Sequence, residues 1–141
     1  MNIKKILEIL PHRYPILLVD RVLDNTDTHI TAIKNITFNE DIFNGHFPDN
    51  PIYPGVYQIE GMAQAGALLA SFTIGDFSDK LIYFMSIDNA KFRQPVIPGD
   101  QLTYKVEIIK KRGNIWIFSG KCYVEDKLVS QAELKATIVQ K

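Results

Sequence analysis

Two side chains able to move protons stand fourteen positions apart in NGHFPDNPIYPGVYQIEGMAQ, residues 44–64: His46 and Glu60. Imidazole changes charge near neutral pH and can serve as a base. Taken alone, a histidine between Gly45 and Phe47-Pro48 reads first as a core or loop residue held by hydrogen bonds. Pro48, Pro51 and Pro54 then fix φ at three positions within seven residues, which stiffens the segment. Pro54-Gly55-Val56 opens a helix, whose first N–H groups lack internal partners and carry the positive end of its dipole. With no side chain at Gly55, those amides offer a place for an oxygen that gains negative charge; close packing is the alternative reason for the glycine. Glu60 follows one and a half turns later, among small and apolar residues. A carboxyl group in an apolar setting favours the protonated form, the state of a proton donor. The alternative is an exposed glutamate favoured by the helix dipole. Gln64 lies one turn beyond, on the same face, within reach of Glu60. A base, an oxyanion donor pair and an acid are together what removal of an α-proton with loss of a β-leaving group needs.

These groups need a scaffold. Gly55 to about Ile74 is the one long helical candidate, about 30 Å if regular. Val56, Ile59, Met62, Ala63, Gly66, Ala67 and Ala70, with Leu68 and Leu69, make it apolar nearly all round, which predicts a buried helix. Residues 2–10 place Ile3, Ile6, Leu7 and Leu10 at helical spacing behind Asn2 as cap. Strands are expected over 16–24, 29–37, 81–88, 101–111, 114–124 and 128–139. In 101–111, Leu102, Tyr104, Val106 and Ile108 share a face; in 128–139, Ala132, Leu134, Ala136 and Ile138 do. Turn signals fall at 98–100, 112–114 and 125–127. One way to bury the helix is to wrap a curved antiparallel sheet around it, an α+β arrangement within one domain, 1–141.

Composition narrows the function classes. Lys+Arg 16 against Asp+Glu 16 gives a formal net charge of +0, so no global field draws nucleic acid or a membrane. The single cysteine, Cys122, forms no internal disulfide and sits in an alternating run, where packing is its expected role. That usage fits a reducing compartment, and no stretch has the form of a signal peptide or membrane span. A soluble cytoplasmic protein is expected. No metal, nucleotide or flavin motif is present, and none is expected as cofactor.

GHFPDNPIYPGVYQIEGMAQ closely resembles the signature of the Z-type (3R)-hydroxyacyl-[acyl-carrier-protein] dehydratases of bacterial fatty acid synthesis. LPHRYPILLVDRV at 10–22, YFMSIDNAKFRQPVIPGD at 83–100 and AELKATIV at 132–139 are similar to the same family, so the resemblance covers nearly the whole chain. It implies a hot-dog fold, an antiparallel sheet wrapped around the long helix. It also implies a homodimer whose sheets join, assembling to a homohexamer, with His46 of one subunit working with Glu60 of its partner. The sister family that also isomerises the double bond carries aspartate at position 60, so Glu60 points to the plain dehydratase.

The implied substrate is a 3-hydroxyacyl chain on the phosphopantetheine arm of acyl carrier protein. Its thioester oxygen would lie by the N–H groups of Gly55 and Val56, with Gln64 orienting Glu60. Leu81, Tyr83 and Phe92 are candidate walls of an apolar tunnel, with Tyr83 as a gate; ordinary core packing is the alternative. Because the carrier is acidic, Lys91 and Arg93 are candidate docking residues, as are Lys110, Lys111 and Arg112. PHRYP matches the family, but His12 and Arg13 have no evident chemical role and are read as structural. Tyr53 and Tyr57 stand where relatives often have smaller or aliphatic residues, and 71–80 is shorter than in some, which affects tunnel shape. Two competing functions remain: a hot-dog acyl thioesterase, which activates water on the same substrates, and a non-catalytic acyl-binding protein.

Overall fold

A computed structural model describes all 141 residues. Helix α1, Ile3–Ile9, is capped by Asn2, whose side chain accepts from the Lys5 N–H at 3.3 Å. Strands β1 (Arg21–Asn25) and β2 (His29–Asn35) precede a 3-10 turn at Asp41–Asn44 and the long helix α2, Gly55–Ile74. Four strands follow: β3 (Lys80–Phe92), β4 (Gln101–Arg112), β5 (Ile115–Val124) and β6 (Lys127–Gln140). They form one six-stranded sheet in the order β1-β2-β4-β5-β6-β3, every neighbouring pair antiparallel. No helix is long and apolar enough to cross a membrane.

Alternation decides which face of the sheet meets α2. Leu102, Tyr104 and Val106 of β4, Trp116, Phe118 and Cys122 of β5, and Leu134, Ala136 and Ile138 of β6 are all buried. The helix matches them: from Gln58 to Ser71 only Glu60 and Ala63 escape full burial. Close approach needs small residues. A Cβ on Gly61 would collide with the hydroxyl end of Tyr104. Tyr104 passes there to donate its hydroxyl to the Leu18 carbonyl at 3.0 Å. Glu125 and Asp126, at φ 48° and 66°, make the tight β5–β6 turn that the sequence places there.

Two expected strands differ. Residues 16–24 read as one strand, yet pairing in register begins only at Arg21. The cause is the Gln64 side chain, which accepts from the Leu18 N–H at 2.8 Å and donates to the Ile16 carbonyl at 2.7 Å. A side-chain amide takes the backbone groups that a neighbouring strand would otherwise use. Strand 81–88 instead runs to Phe92, because irregularities at Phe84/Ser86 and Asp88/Lys91 absorb extra residues without ending the ladder. That extension puts Lys91 and Phe92 on β3.

Gly61→Ala should lower the unfolding free energy by about 1–3 kcal/mol through overpacking against Tyr104; a fall in the urea midpoint at constant slope would show it. Cys122 is fully buried, and desolvation pushes its thiol up to about 12. Iodoacetamide at about pH 8 should therefore leave Cys122 unlabelled in the native protein and label it fully in urea, as read by mass spectrometry.

Candidate active site

His46 is held at two points. Its backbone carbonyl accepts from the Ile52 N–H at 3.2 Å, and its ring Nδ1 lies 2.7 Å from the Ile52 carbonyl oxygen. A carbonyl only accepts, so Nδ1 must carry the hydrogen. In the neutral ring this leaves the lone pair on Nε2, the form a base requires. The Phe47 ring stacks on the imidazole with centroids 4.1 Å apart, and the loop closes on itself through the Phe47 and Asn50 backbone. The stiff proline segment thus ends in a fixed imidazole.

Beyond Pro54 the first intrahelical bonds run from the Tyr57 and Gln58 N–H groups to the Pro54 carbonyl, at 3.1 and 3.3 Å. The Gly55 and Val56 amides find no acceptor in the chain, and no side chain caps this end of α2. The Phe92 ring lies against Gly55 so closely that a Cβ would strike it. Gly55, Val56, Phe92 and Arg93 line one open cleft, with Ile52 and Tyr53 behind them. Tyr53 is buried in the core, its ring edge-on to Tyr57.

Glu60 faces a different space. Its Oε1 accepts from Gln64 Nε2 at 3.0 Å and lies 3.5 Å from Nε2 of His12. Its side chain is 26% exposed and lines a small cavity. That cavity is lined by Ala63, Ile82, Tyr83, Phe84, Phe118 and Ala136 besides the three polar residues, and its volume is about 50 Å³. Ligand pockets run to roughly 300–1,000 Å³. At Glu60 the single chain therefore encloses too little space for an acyl group.

The chain thus brings Glu60, Gln64 and Tyr83 together, and separately Gly55, Val56 and Phe92. Within one chain no hydrogen bond or ion pair joins His46 to Glu60, and His46 lines neither space. Leu81 lines neither as well, whereas its neighbour Ile82, paired with Ile138, lines the Glu60 cavity. Lys91 is exposed, and Arg93 donates to Gln131 at 3.2 Å beside the Gly55 cleft. Lys110 and Arg112 share a shallow groove with Lys135, while Lys111 sits 4.6 Å over the Trp116 ring. No group of three or more His, Cys, Asp or Glu side chains is placed to hold a metal ion.

Sequence reasoning did not foresee His12 in the Glu60 cavity. The signal was the PHRYP run, but nothing in its spacing shows a contact with a residue 48 positions away. Nor did it foresee the Ile52 carbonyl, a backbone group that no residue type announces.

Comparison with known proteins places this geometry. Residues 10–133 match the family model described as a FabA-like domain. The protein named 3-hydroxyacyl-[acyl-carrier-protein] dehydratase FabZ from Campylobacter hominis is 57% identical over 100% of this chain and 99% of its own. Among solved structures, the dehydratase heterocomplex ApeI:P from Xenorhabdus doucetiae aligns with TM-score 0.83 at 17% identity, covering 96% of this chain and 91% of that one. A hot-dog-like protein from Thermanaerovibrio acidaminovorans aligns at 0.66 and 15% identity, over 81% and 82%. At such identities the likeness is one of fold, and the fold is the hot-dog α+β arrangement. With a full-length match above half identity, the chain belongs to the FabZ family of 3-hydroxyacyl-[acyl-carrier-protein] dehydratases.

Proposed function

We propose that this enzyme converts (3R)-3-hydroxyacyl-[acyl-carrier-protein] to the trans-2-enoyl thioester, with His46 as base and Glu60 as acid. The observation that carries this reading is the pair of fixed protonation frames. Ile52 holds the His46 hydrogen on Nδ1, and Gln64 holds one oxygen of Glu60 while the other has no protein partner. The thioester carbonyl accepts from the Gly55 and Val56 N–H groups, which meet the charge that grows on oxygen as the α C–H bond breaks. His46 Nε2 takes the α-proton. The β C–O bond breaks, Glu60 gives its proton to the departing hydroxyl, and the carbon electron pair becomes the double bond. Water leaves, and solvent exchange restores both groups.

Two copies complete the site in this reading, His46 from one and Glu60 from the other. The long edge strand β3 supports it. Only β6 pairs with it, and its Tyr83, Met85 and Ile87 are about half exposed. A long apolar edge is a ready template for a second strand. Joining two β3 edges gives a homodimer, and three dimers give the homohexamer. Tyr83 then gates the acyl chain, with Phe92 along the tunnel wall. Lys91 and Arg93 receive the acidic carrier protein at the mouth, where the phosphopantetheine arm enters. No metal or organic cofactor takes part, and the reduced, buried Cys122 suits a cytoplasmic enzyme.

The test is turnover of 3-hydroxyacyl carrier proteins followed by enoyl absorbance and by free thiol. Absorbance without thiol release is expected; thiol release would instead identify a thioesterase. His46→Ala and Glu60→Gln should each lower kcat/KM by about 10²–10⁴-fold. If both variants match a wild type that binds but does not turn over, the protein only shelters acyl chains.

Mixing the two variants tests the shared site. After random exchange half the dimers are mixed, and each mixed dimer has one intact site of two, so about a quarter of the wild-type rate should return. No recovery, with exchange shown by mass spectrometry of tagged subunits, would count against a site built from two chains.

A further inference from the structure

We infer that His12 is a positioning residue for the proton transfer by Glu60, an inference that rests on the reaction proposed above. The segment 10–18 aims its imidazole into the Glu60 cavity and is fixed on both sides. Before it, Arg13 donates to the carbonyls of Leu7, Leu10 and His12, at 2.9, 2.8 and 2.7 Å. After it, Gln64 grips Ile16 and Leu18. The guanidinium is thereby spent on backbone, and the imidazole is the group presented to the site. Its side chain is only 18% exposed.

The tautomer follows from its surroundings. His12 Nδ1 is buried and has no hydrogen-bond partner. A hydrogen there would be an unsatisfied buried donor. The hydrogen belongs on Nε2, which faces Glu60 Oε1 at 3.5 Å. Gln64 Nε2 donates to that same oxygen. Two N–H groups thus converge on Oε1, and Oε2 is left as the oxygen that meets substrate.

The chemical consequence is directional. When Glu60 passes its proton from Oε2 to the leaving hydroxyl, negative charge spreads to Oε1. Donors waiting there stabilise the product carboxylate and the transition state more than the neutral acid. The contact is longer than a hydrogen bond, as catalytic contacts without substrate often are, and it tightens as the oxygen gains charge. His12 therefore acts on kcat and not on substrate binding.

A double-mutant cycle on the full-length enzyme decides this. In the wild type, His12→Ala should lower kcat by about 10–100-fold with KM within about twofold. In the Glu60→Gln background the same change should cost less than about threefold, because the proton donor is already gone. His12→Gln, which keeps an N–H donor, should recover to within about fivefold of wild type, whereas His12→Phe should not. Thermal unfolding and gel filtration check the fold; if His12→Ala does not fold, the Gln and Phe variants carry the comparison. Equal losses in both backgrounds, or equal behaviour of His12→Gln and His12→Phe, would overturn the role of His12 while leaving the dehydration intact. A wild type without enoyl formation, or a fully active Glu60→Gln, would instead overturn the reaction reading, and His12 with it.

Discussion

The carboxamide of Gln64 joins parts of the protein that the chain keeps far apart. Its oxygen accepts from Leu18 N–H, while its nitrogen donates to the Ile16 carbonyl and to Glu60 Oε1. All of this occurs where Gln64 is buried. In such a place an unmet polar group costs about 1–3 kcal/mol, so the amide, the segment and the acid stand or fall together. Tyr104 adds a second tie by donating to Leu18, and Gly61 makes room for it. The acid therefore cannot drift on its helix without loosening a sheet residue and the segment after α1. Helix, sheet and leading loop form one frame for one carboxyl group.

The histidine belongs to a separate frame. Ile52 holds both its backbone and its ring, and the Tyr53 N–H then bonds the Val96 carbonyl, tying the loop to the chain that follows β3. Neither frame reaches the other within one chain, and the cavity at Glu60 is too small for an acyl group. The proposed two-chain site would resolve both facts without bending either frame. It gives the exposed apolar residues of β3 a purpose as well, since pairing that edge would bury them where they would otherwise invite aggregation.

What the sequence revealed, and what it hid, divides along one physical line. Patterns set by burial were legible. Helix α2 has the bounds its apolar run implies, and the alternating residues of β4, β5 and β6 face inward as read. Cys122 is a packed core thiol. Features set by a polar contact between distant residues were not. The apolar run ILLV reads as strand, and no local rule shows that a glutamine 46 positions beyond Leu18 takes its N–H. His12 looked structural because its partner is remote in sequence. The family resemblance named His46 and Glu60 without giving the carbonyl that sets the imidazole tautomer.

Fold alone leaves the reaction open, since one architecture supports many chemistries. Here the full-length likeness to FabZ dehydratases narrows it. Hydrolysis needs an attacking water delivered to the thioester carbon, beside the helix N-terminus. Within one chain the polar groups around Glu60 line a separate cavity behind Tyr83. A cavity of about 50 Å³ has no space for an acyl chain. In the proposed reaction the donors on Oε1 hold the acid still while its free oxygen meets the leaving hydroxyl.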